Sequence, residues 1–265
     1  AGNGSNLSIG AEALSLSGTL RSLSGSNTYA GSITLGAPAS ILTTAGSLTL
    51  GDTVKLGAFA LTLNSTGATL LNGSVSGTGA LLKTGSSILT LAASNTYTGG
   101  TTVNKGVLAL GADNVLPDSG AITLAGASLD MKTFSDTVAA LSLQQNGALS
   151  GSISGTGTLT SSSAFDLQSG TVDVTLAGTS GANKTTGGTV VLYGANTYTG
   201  TTSITNGTLE WGANNVLAST GSVAVSNAGL LRLGAYSNTV AALSLRDGGW
   251  ITGSGGILTS ASAFD

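Results

Sequence analysis

Asn95-Thr96-Tyr97-Thr98-Gly99 returns as Asn196-Thr197-Tyr198-Thr199-Gly200, a shift of 196 − 95 = 101 residues. A weaker copy surrounds Asn27-Thr28-Tyr29-Ala30-Gly31. The echo extends outward from the five residues. Gly111-Ala112-Asp113-Asn114-Val115-Leu116 recurs as Gly212-Ala213-Asn214-Asn215-Val216-Leu217, Thr137–Leu143 recurs at 239–245, and Ser163-Ala164-Phe165-Asp166 recurs at 262–265. Self-similarity at a fixed spacing marks a stacked, quasi-one-dimensional protein in which each unit buries its apolar face against the next.

Composition narrows the class. Of 265 residues only 7% are charged and 4% aromatic, against 42 glycines and 40% hydrophobic residues. A chain this low in charge is not held open by self-repulsion, and two prolines without a Gly-x-y period exclude collagen. Alternating segments such as Ser47-Leu48-Thr49-Leu50, Ala60-Leu61-Thr62-Leu63, Val107-Leu108-Ala109-Leu110, Ile122-Thr123-Leu124, Val172-Asp173-Val174-Thr175-Leu176, Val190-Val191-Leu192 and Leu230-Leu231-Arg232-Leu233 read as short strands. Gly, Asn or Asp follows each within a few residues, and no window carries an apolar stripe of helical period between caps, so almost no helix is expected.

Sandwich, closed barrel and solenoid compete for such a set of strands. Gly79, closing Ser76-Gly77-Thr78-Gly79, lies 95 − 79 = 16 residues before Asn95; Gly157, closing Ser154-Gly155-Thr156-Gly157, lies 196 − 157 = 39 before Asn196. The difference, 39 − 16 = 23 residues, reads as a whole inserted coil, which a stack absorbs and a closed core does not. The expected fold is all-β: a right-handed parallel β-helix with three short strands per coil of about 20–23 residues, stacked at about 4.8 Å into roughly 11–13 coils, a rod on the order of 55–60 Å long. It divides into a degraded repeat over 1–78, a repeat over 79–182 and a third over 183–265. Inward Leu, Val, Ile and Ala would form the core, and outward Thr and Ser parallel ladders.

The stretch Leu82-Lys83-Thr84-Gly85-Ser86-Ser87-Ile88-Leu89-Thr90-Leu91-Ala92-Ala93-Ser94, running through Asn95-Thr96-Tyr97-Thr98-Gly99 to Gly111, resembles the autotransporter-associated β-strand repeat, also called the passenger-associated transport repeat. A second copy runs from Lys184 to Gly212 around Tyr193-Gly194-Ala195-Asn196-Thr197-Tyr198-Thr199-Gly200. The resemblance implies a type V secretion passenger: an extracellular or surface-displayed β-helical stalk, within a large adhesin or fibre protein, anchored through an outer-membrane translocator outside this segment. It names no ligand. Partners implied are glycans or proteins of host or neighbouring cells, or the chain itself.

The remaining candidates are weighed residue by residue. Hydrolysis by paired carboxylates needs two acids about 5–9.5 Å apart across a cleft. Asp113 and Asp118, and Asp130 and Asp136, are near in sequence, yet their counterparts are Asn214 and Ser219, and Arg232 and Asn238. They read as solvated turn residues, and the chain has no histidine, the commonest general base. No catalytic residue, cofactor or metal is expected: no Gly-Gly-x-Gly-x-Asp nonapeptide or carboxylate cluster for calcium occurs. A net charge of −3 offers no basic face for nucleic acid, and no apolar run is long enough for a membrane-spanning helix. A carbohydrate-active β-helix enzyme and an end-to-end filament subunit stay as alternatives.

Tyr97, Tyr198 and Tyr29 read as plugs covering a coil edge with the hydroxyl on a turn carbonyl, and Asn95, Asn196 and Asn27 as turn formers bonding backbone. Trp211 and Trp250, whose counterparts at a constant shift are Leu110 and Leu149, read first as core filling, with surface binding of a carbohydrate or partner as the role they take if exposed. An ice-binding Thr array is ruled against by the Ser, Asn, Gly and Lys that interrupt the outward rows. The N-terminal residues 1–5 lack the basic and apolar regions of a signal peptide. The last residues, 263–265, repeat Ala164-Phe165-Asp166 without a cap, so an open terminal coil is expected, in a longer chain or an end-to-end stack.

Overall fold

The computed structural model describes residues 6–262 and Phe264; the expectations placed on 1–5, 263 and 265 lie outside them. The described residues form short parallel β-strands and no helix, a β-solenoid of about 13 turns in all. The chain divides into two compact units, one running through Thr123 with Ala127–Val138, the other made of Leu124–Gly126 and Ala139 onward.

In the first unit each coil has three sides. The first side stacks Ala39–Thr43, Leu61–Leu63, Leu81–Lys83 and Thr101–Val103 in parallel register. The second stacks Ser26–Tyr29, Ser47–Leu50, Ala68–Leu71, Ile88–Leu91, Val107–Leu110 and Ser128–Lys132. The third stacks Leu14–Leu16, Ile33–Leu35, Val54–Gly57 and Val75–Gly77. Register partners such as Ala39, Leu61, Leu81 and Thr101 set the coil at 20 to 22 residues.

Alternation decides what is buried. On the second side Leu50, Leu71, Leu91 and Leu110 pair in succession and form one inward column, each essentially fully buried. Burial of a leucine side chain contributes about 1.5–3 kcal/mol, so the column gains by repetition what a compact domain gains by depth. Thr28, Thr49 and Thr90 share an outward column, which Leu70 and Ala109 interrupt.

The second unit repeats the scheme with two fused sides. Thr202–Trp211 and Ser222–Arg232 each run through two sides without a break, with a register shift between Ile204 and Asn206. Two sequence readings are corrected here. Val172–Leu176 is not one strand: Gly170–Val172 and Thr175–Ala177 lie on different sides of a corner. Nor are the two Ser-Gly-Thr-Gly stretches equivalent. Val75–Gly77 is a third-side strand, whereas Gly151–Gly155 pairs with Gly170–Val172 on the second side. The structural counterpart of Gly77 is Gly178: their carbonyls accept from Thr98 and Thr199 at 3.0 and 3.1 Å. The 101-residue shift therefore holds on both sides of the motif, and the apparent 23-residue insertion includes the coil built from Phe165–Leu167, Gly170–Val172 and Thr175–Ala177.

Candidate functional site

The five-residue motif takes the third-side position of its coil. Asn95 and Tyr97 point inward and Thr96 and Thr98 outward, an extended alternation. The amides of Thr96 and Thr98 donate to the carbonyls of Val75 and Gly77 in the preceding coil, at 2.9 and 3.0 Å. On its other face the motif meets no strand. The next coil carries the loop Gly111–Gly120 there, whose Asn114 has φ of 52°, a left-handed conformation that Asn tolerates.

Asn95 fastens that loop. Its Oδ1 accepts from the Val75 amide at 2.6 Å, and its Nδ2 donates to the Val115 carbonyl at 2.5 Å and to Ala93 at 2.9 Å. One side chain thus ties the coil before to the coil after. Asn196 does the same with the Leu176 amide at 2.8 Å and the Val216 carbonyl at 2.7 Å. In the weaker copy Asn27 accepts from Leu7 and donates to Ser22 and Ser24. The asparagines do bond backbone, mostly in neighbouring coils 20 residues away rather than in their own turn.

The tyrosines are interior. Tyr97 and Tyr198 are fully buried, and their hydroxyls meet Thr101 at 2.5 Å and Thr202 at 2.8 Å. Only Tyr29 reaches a backbone carbonyl, that of Glu12. The expected turn-carbonyl partner is thus replaced in both strong copies by a threonine hydroxyl four residues on. Burial pushes both phenols up to about 12, and Phe165 packs tilted against Tyr198 with ring centroids 5.8 Å apart.

Asp136 is a further correction. It is buried rather than a solvated turn residue: Oδ2 accepts from the Val115 and Leu116 amides, each at 2.9 Å, and Oδ1 from Thr137 at 2.8 Å. It therefore holds the loop that Asn95 holds from the other side. Its counterpart Asn238 accepts from the Leu217 amide at 3.0 Å. Burial raises the Asp136 carboxyl to about 6, against the three amides that pull it down. A folded-state value above the unfolded 3.8 means that ionisation opposes folding. The first unit should then gain stability as pH falls from 7 towards 4, by about 3 kcal/mol for a shift of about two units. Asp136→Asn is expected to remove that dependence and to leave the protein at least as stable at pH 7, as pH-dependent melting will show.

The charge of Asp118 is near enough to add to the rise at Asp136, and the remaining candidate acids, Asp113 and Asp130, have partners of their own. Asp113 Oδ1 accepts from Ser135 at 2.7 Å, and Asn214 makes the same bond to Ser237 at 2.8 Å, so an amide replaces the carboxylate without loss of role. Asp130 closes its own turn on the Lys132 amide. A polar cavity of about 290 Å³ beside the motif has Asp118 as the carboxylate among its lining residues. Among the described residues no three His, Cys, Asp or Glu side chains gather as metal ligands.

Two further repeated residues escaped sequence reading. Lys83 and Lys184 point into the core, paired in register with Leu63 and Val103, and with Ile204. The Lys83 ammonium donates to the carbonyls of Gly85 at 2.6 Å and Lys105 at 3.1 Å; Lys184 donates to Thr186 and to Asn206. Each ammonium joins a turn of its own coil to the same turn of the next, and burial lowers both to about 8. Gly106 and Gly207 stand at those turns with φ of 75° and 68°, and a Cβ there would lie within 2.5 Å of a carbonyl oxygen.

The tryptophans divide. Trp211 is buried, which removes it as a surface binding residue, whereas Trp250 is 66% exposed. Strand register also corrects its counterpart: Ile251 shares a column with Leu231, Leu209, Val190, Gly170 and Gly151, so Trp250 lies on the column of Ser150 rather than that of Leu149.

The asparagine of the motif and the buried lysine thus join coil to coil while the tyrosine fills the core, and comparison with known proteins places this unit. The profile of the passenger-associated-transport-repeat matches residues 81–110 and 183–210. The chain carries passenger-associated transport repeats. Both matched stretches begin at the buried-lysine strand and run through the Asn-Thr-Tyr-Thr-Gly motif into the strand after it. The chain is similar to the adhesin BmaC autotransporter of Brucella suis biovar 1 (strain 1330), at 39% identity over 157 residues. That alignment covers 57% of this chain and 4% of the relative, so the chain spans a small fraction of the protein it matches. No solved structure shows a significant match.

Proposed function

We propose that this chain is a non-enzymatic stalk segment of a secreted, surface-displayed bacterial passenger, structural and adhesive in role. The observation that carries the reading is where the repeat's distinctive side chains go. Asn95 and Lys83, with their counterparts Asn196 and Lys184, are buried and bond coil to coil, and Tyr97 and Tyr198 are buried as core filling between them. A repeat whose most specific residues are consumed in joining and filling its own coils is selected for continuity of the stack. Its function then lies in length and in outward surface. The match to an autotransporter adhesin supports the same reading, with glycans or proteins of neighbouring cells as partners.

The test is display on the producing cell. An antibody raised against residues 79–182 is expected to label intact cells, and the purified chain to release no product from polysaccharides. Labelling that requires permeabilised cells, or accumulation of a cleaved polysaccharide, would contradict the proposal.

A further inference from the structure

The second side of the second unit carries a line of residues that its own fold does not use. Register sets out a grid of four coils by three outward columns. Thr189, Val191 and Tyr193 lie on the first coil, Thr208, Glu210 and Gly212 on the second, Leu230, Arg232 and Gly234 on the third, and Trp250, Thr252 and Ser254 on the fourth. Tyr193, Glu210, Arg232 and Trp250 run obliquely across this grid, stepping from its third column to its first through the middle column that Glu210 and Arg232 share. With coils about 4.8 Å apart and alternate residues of a strand about 6.7 Å apart, the line spans about 20 Å.

Each member is presented rather than buried. The Tyr193 ring lies over Gly212, where a Cβ would come within 2.4 Å of it, and the residue is 48% exposed. Trp250 is the more exposed of the two aromatics, beside Leu230. Between them Arg232 Nη1 meets Glu210 Oε2 at 3.0 Å with both side chains partly in solvent. A pair so exposed adds little stability, and it leaves guanidinium N–H groups and a carboxylate oxygen facing outward. Arg232, Gly234 and Thr252 also line a shallow cavity of about 190 Å³ against the line.

The first repeat lacks every member. At the matching positions stand Ala92, Ala109, Asp130 and Ser150, although inward positions such as Leu91 and Leu192, or Leu108 and Leu209, stay apolar in both repeats. The line is therefore a property of one repeat and not a requirement of the coil.

We propose that this line binds a neutral oligosaccharide laid across the coils. The apolar C–H faces of the sugar rings stack on Trp250 and Tyr193, and the hydroxyls between them bond Arg232 and Glu210. The ion pair is neutral as a unit, so it offers donors and acceptors without drawing a polyanion; a neutral sugar fits and an acidic one gains nothing. Two aromatic platforms a short oligosaccharide apart, with a bidentate polar group between, suit a chain polymer better than a single sugar. The inference deepens the adhesive reading and rests on it for its biology, but binding in solution tests the line alone.

The experiment titrates the whole chain with soluble cello-, malto-, xylo-, manno- and chito-hexaose, by calorimetry and by tryptophan emission. Trp211 is buried, so a sugar on the line acts on Trp250. At least one hexasaccharide is expected to bind with Kd of about 0.1–1 mM and to shift the emission to the blue. Trp250→Ala and Tyr193→Ala should each weaken it about tenfold, while Trp250→Tyr and Tyr193→Phe keep most of it. These are surface positions, so the melting temperature should not move. No response from any hexasaccharide at millimolar concentration overturns the proposal. So does binding confined to acidic polymers such as heparin or polygalacturonate, with steep salt dependence. A dimer that Trp250→Ala abolishes, with no sugar response, would assign the line to a second copy of the chain. Any of these leaves the stalk reading standing, since labelling of intact cells tests that separately.

Discussion

Asn95→Ala is expected to lower the stability of the first unit by about 2–6 kcal/mol. The substitution strands the Val75 amide and the Val115 carbonyl, both buried partners of the side chain, and each orphaned backbone group costs about 1–3 kcal/mol. Asn95→Asp rescues only the first bond, because a carboxylate cannot donate to Val115, and it adds a buried charge; it should be no better than Ala. Since each coil of a solenoid contacts mainly its neighbours, the loss should be local. Thermal unfolding of the variant should shift by on the order of 10 °C. Asn196→Ala should do the same to the second unit through Leu176 and Val216. A shift within that of a surface substitution would show that the asparagine does not carry the loop.

Tyr97→Ala comes next, at about 3–5 kcal/mol. A fully buried ring is removed from an interior of small side chains, leaving a cavity that coils held by backbone ladders cannot close. Tyr97→Phe separates the hydroxyl from the ring. It leaves Thr101 without its partner and should cost about 1 kcal/mol. In the second repeat Tyr198→Ala also removes the tilted contact with Phe165, so its cost should lie at the upper end of the same range. Denaturant unfolding of the four variants checks both the size and the order. Equal effects of Tyr97→Ala and Tyr97→Phe would mean that the hydroxyl, not the ring, is what the coil requires.

The fold was legible because its two signals are local. Alternation over three or four residues puts Leu48 and Leu50 inward, and the 101-residue echo says that coils stack rather than close. The site was less legible, for identifiable reasons. Lys83 stands two residues after Leu81, and Lys184 two after Ala182, so alternation alone turns them inward; their charge argued outward, and only the turn carbonyls beyond them reverse that. Asp136 looked like a turn acid because its partners, Val115 and Leu116, lie 21 and 20 residues away. The exchange with Asn238 was the clue that an acceptor, not a charge, is what the position needs. Trp211 follows Leu209 by two in an alternating strand and is inward for that reason, while Trp250 precedes the inward Ile251 and so faces out.

The central claim is that the Asn-Thr-Tyr-Thr-Gly motif is interior carpentry between coils and not a displayed recognition sequence. Amide hydrogen exchange tests it most directly, at the amides of Val75 and Leu176, whose acceptors are the Asn95 and Asn196 side chains. The account predicts that both exchange only with the unfolding of their unit, as slowly as the amides of the leucine column, and that Asn95→Ala accelerates Val75 alone. Exchange of Val75 and Leu176 as fast as that of exposed turn amides in the unsubstituted chain would contradict it.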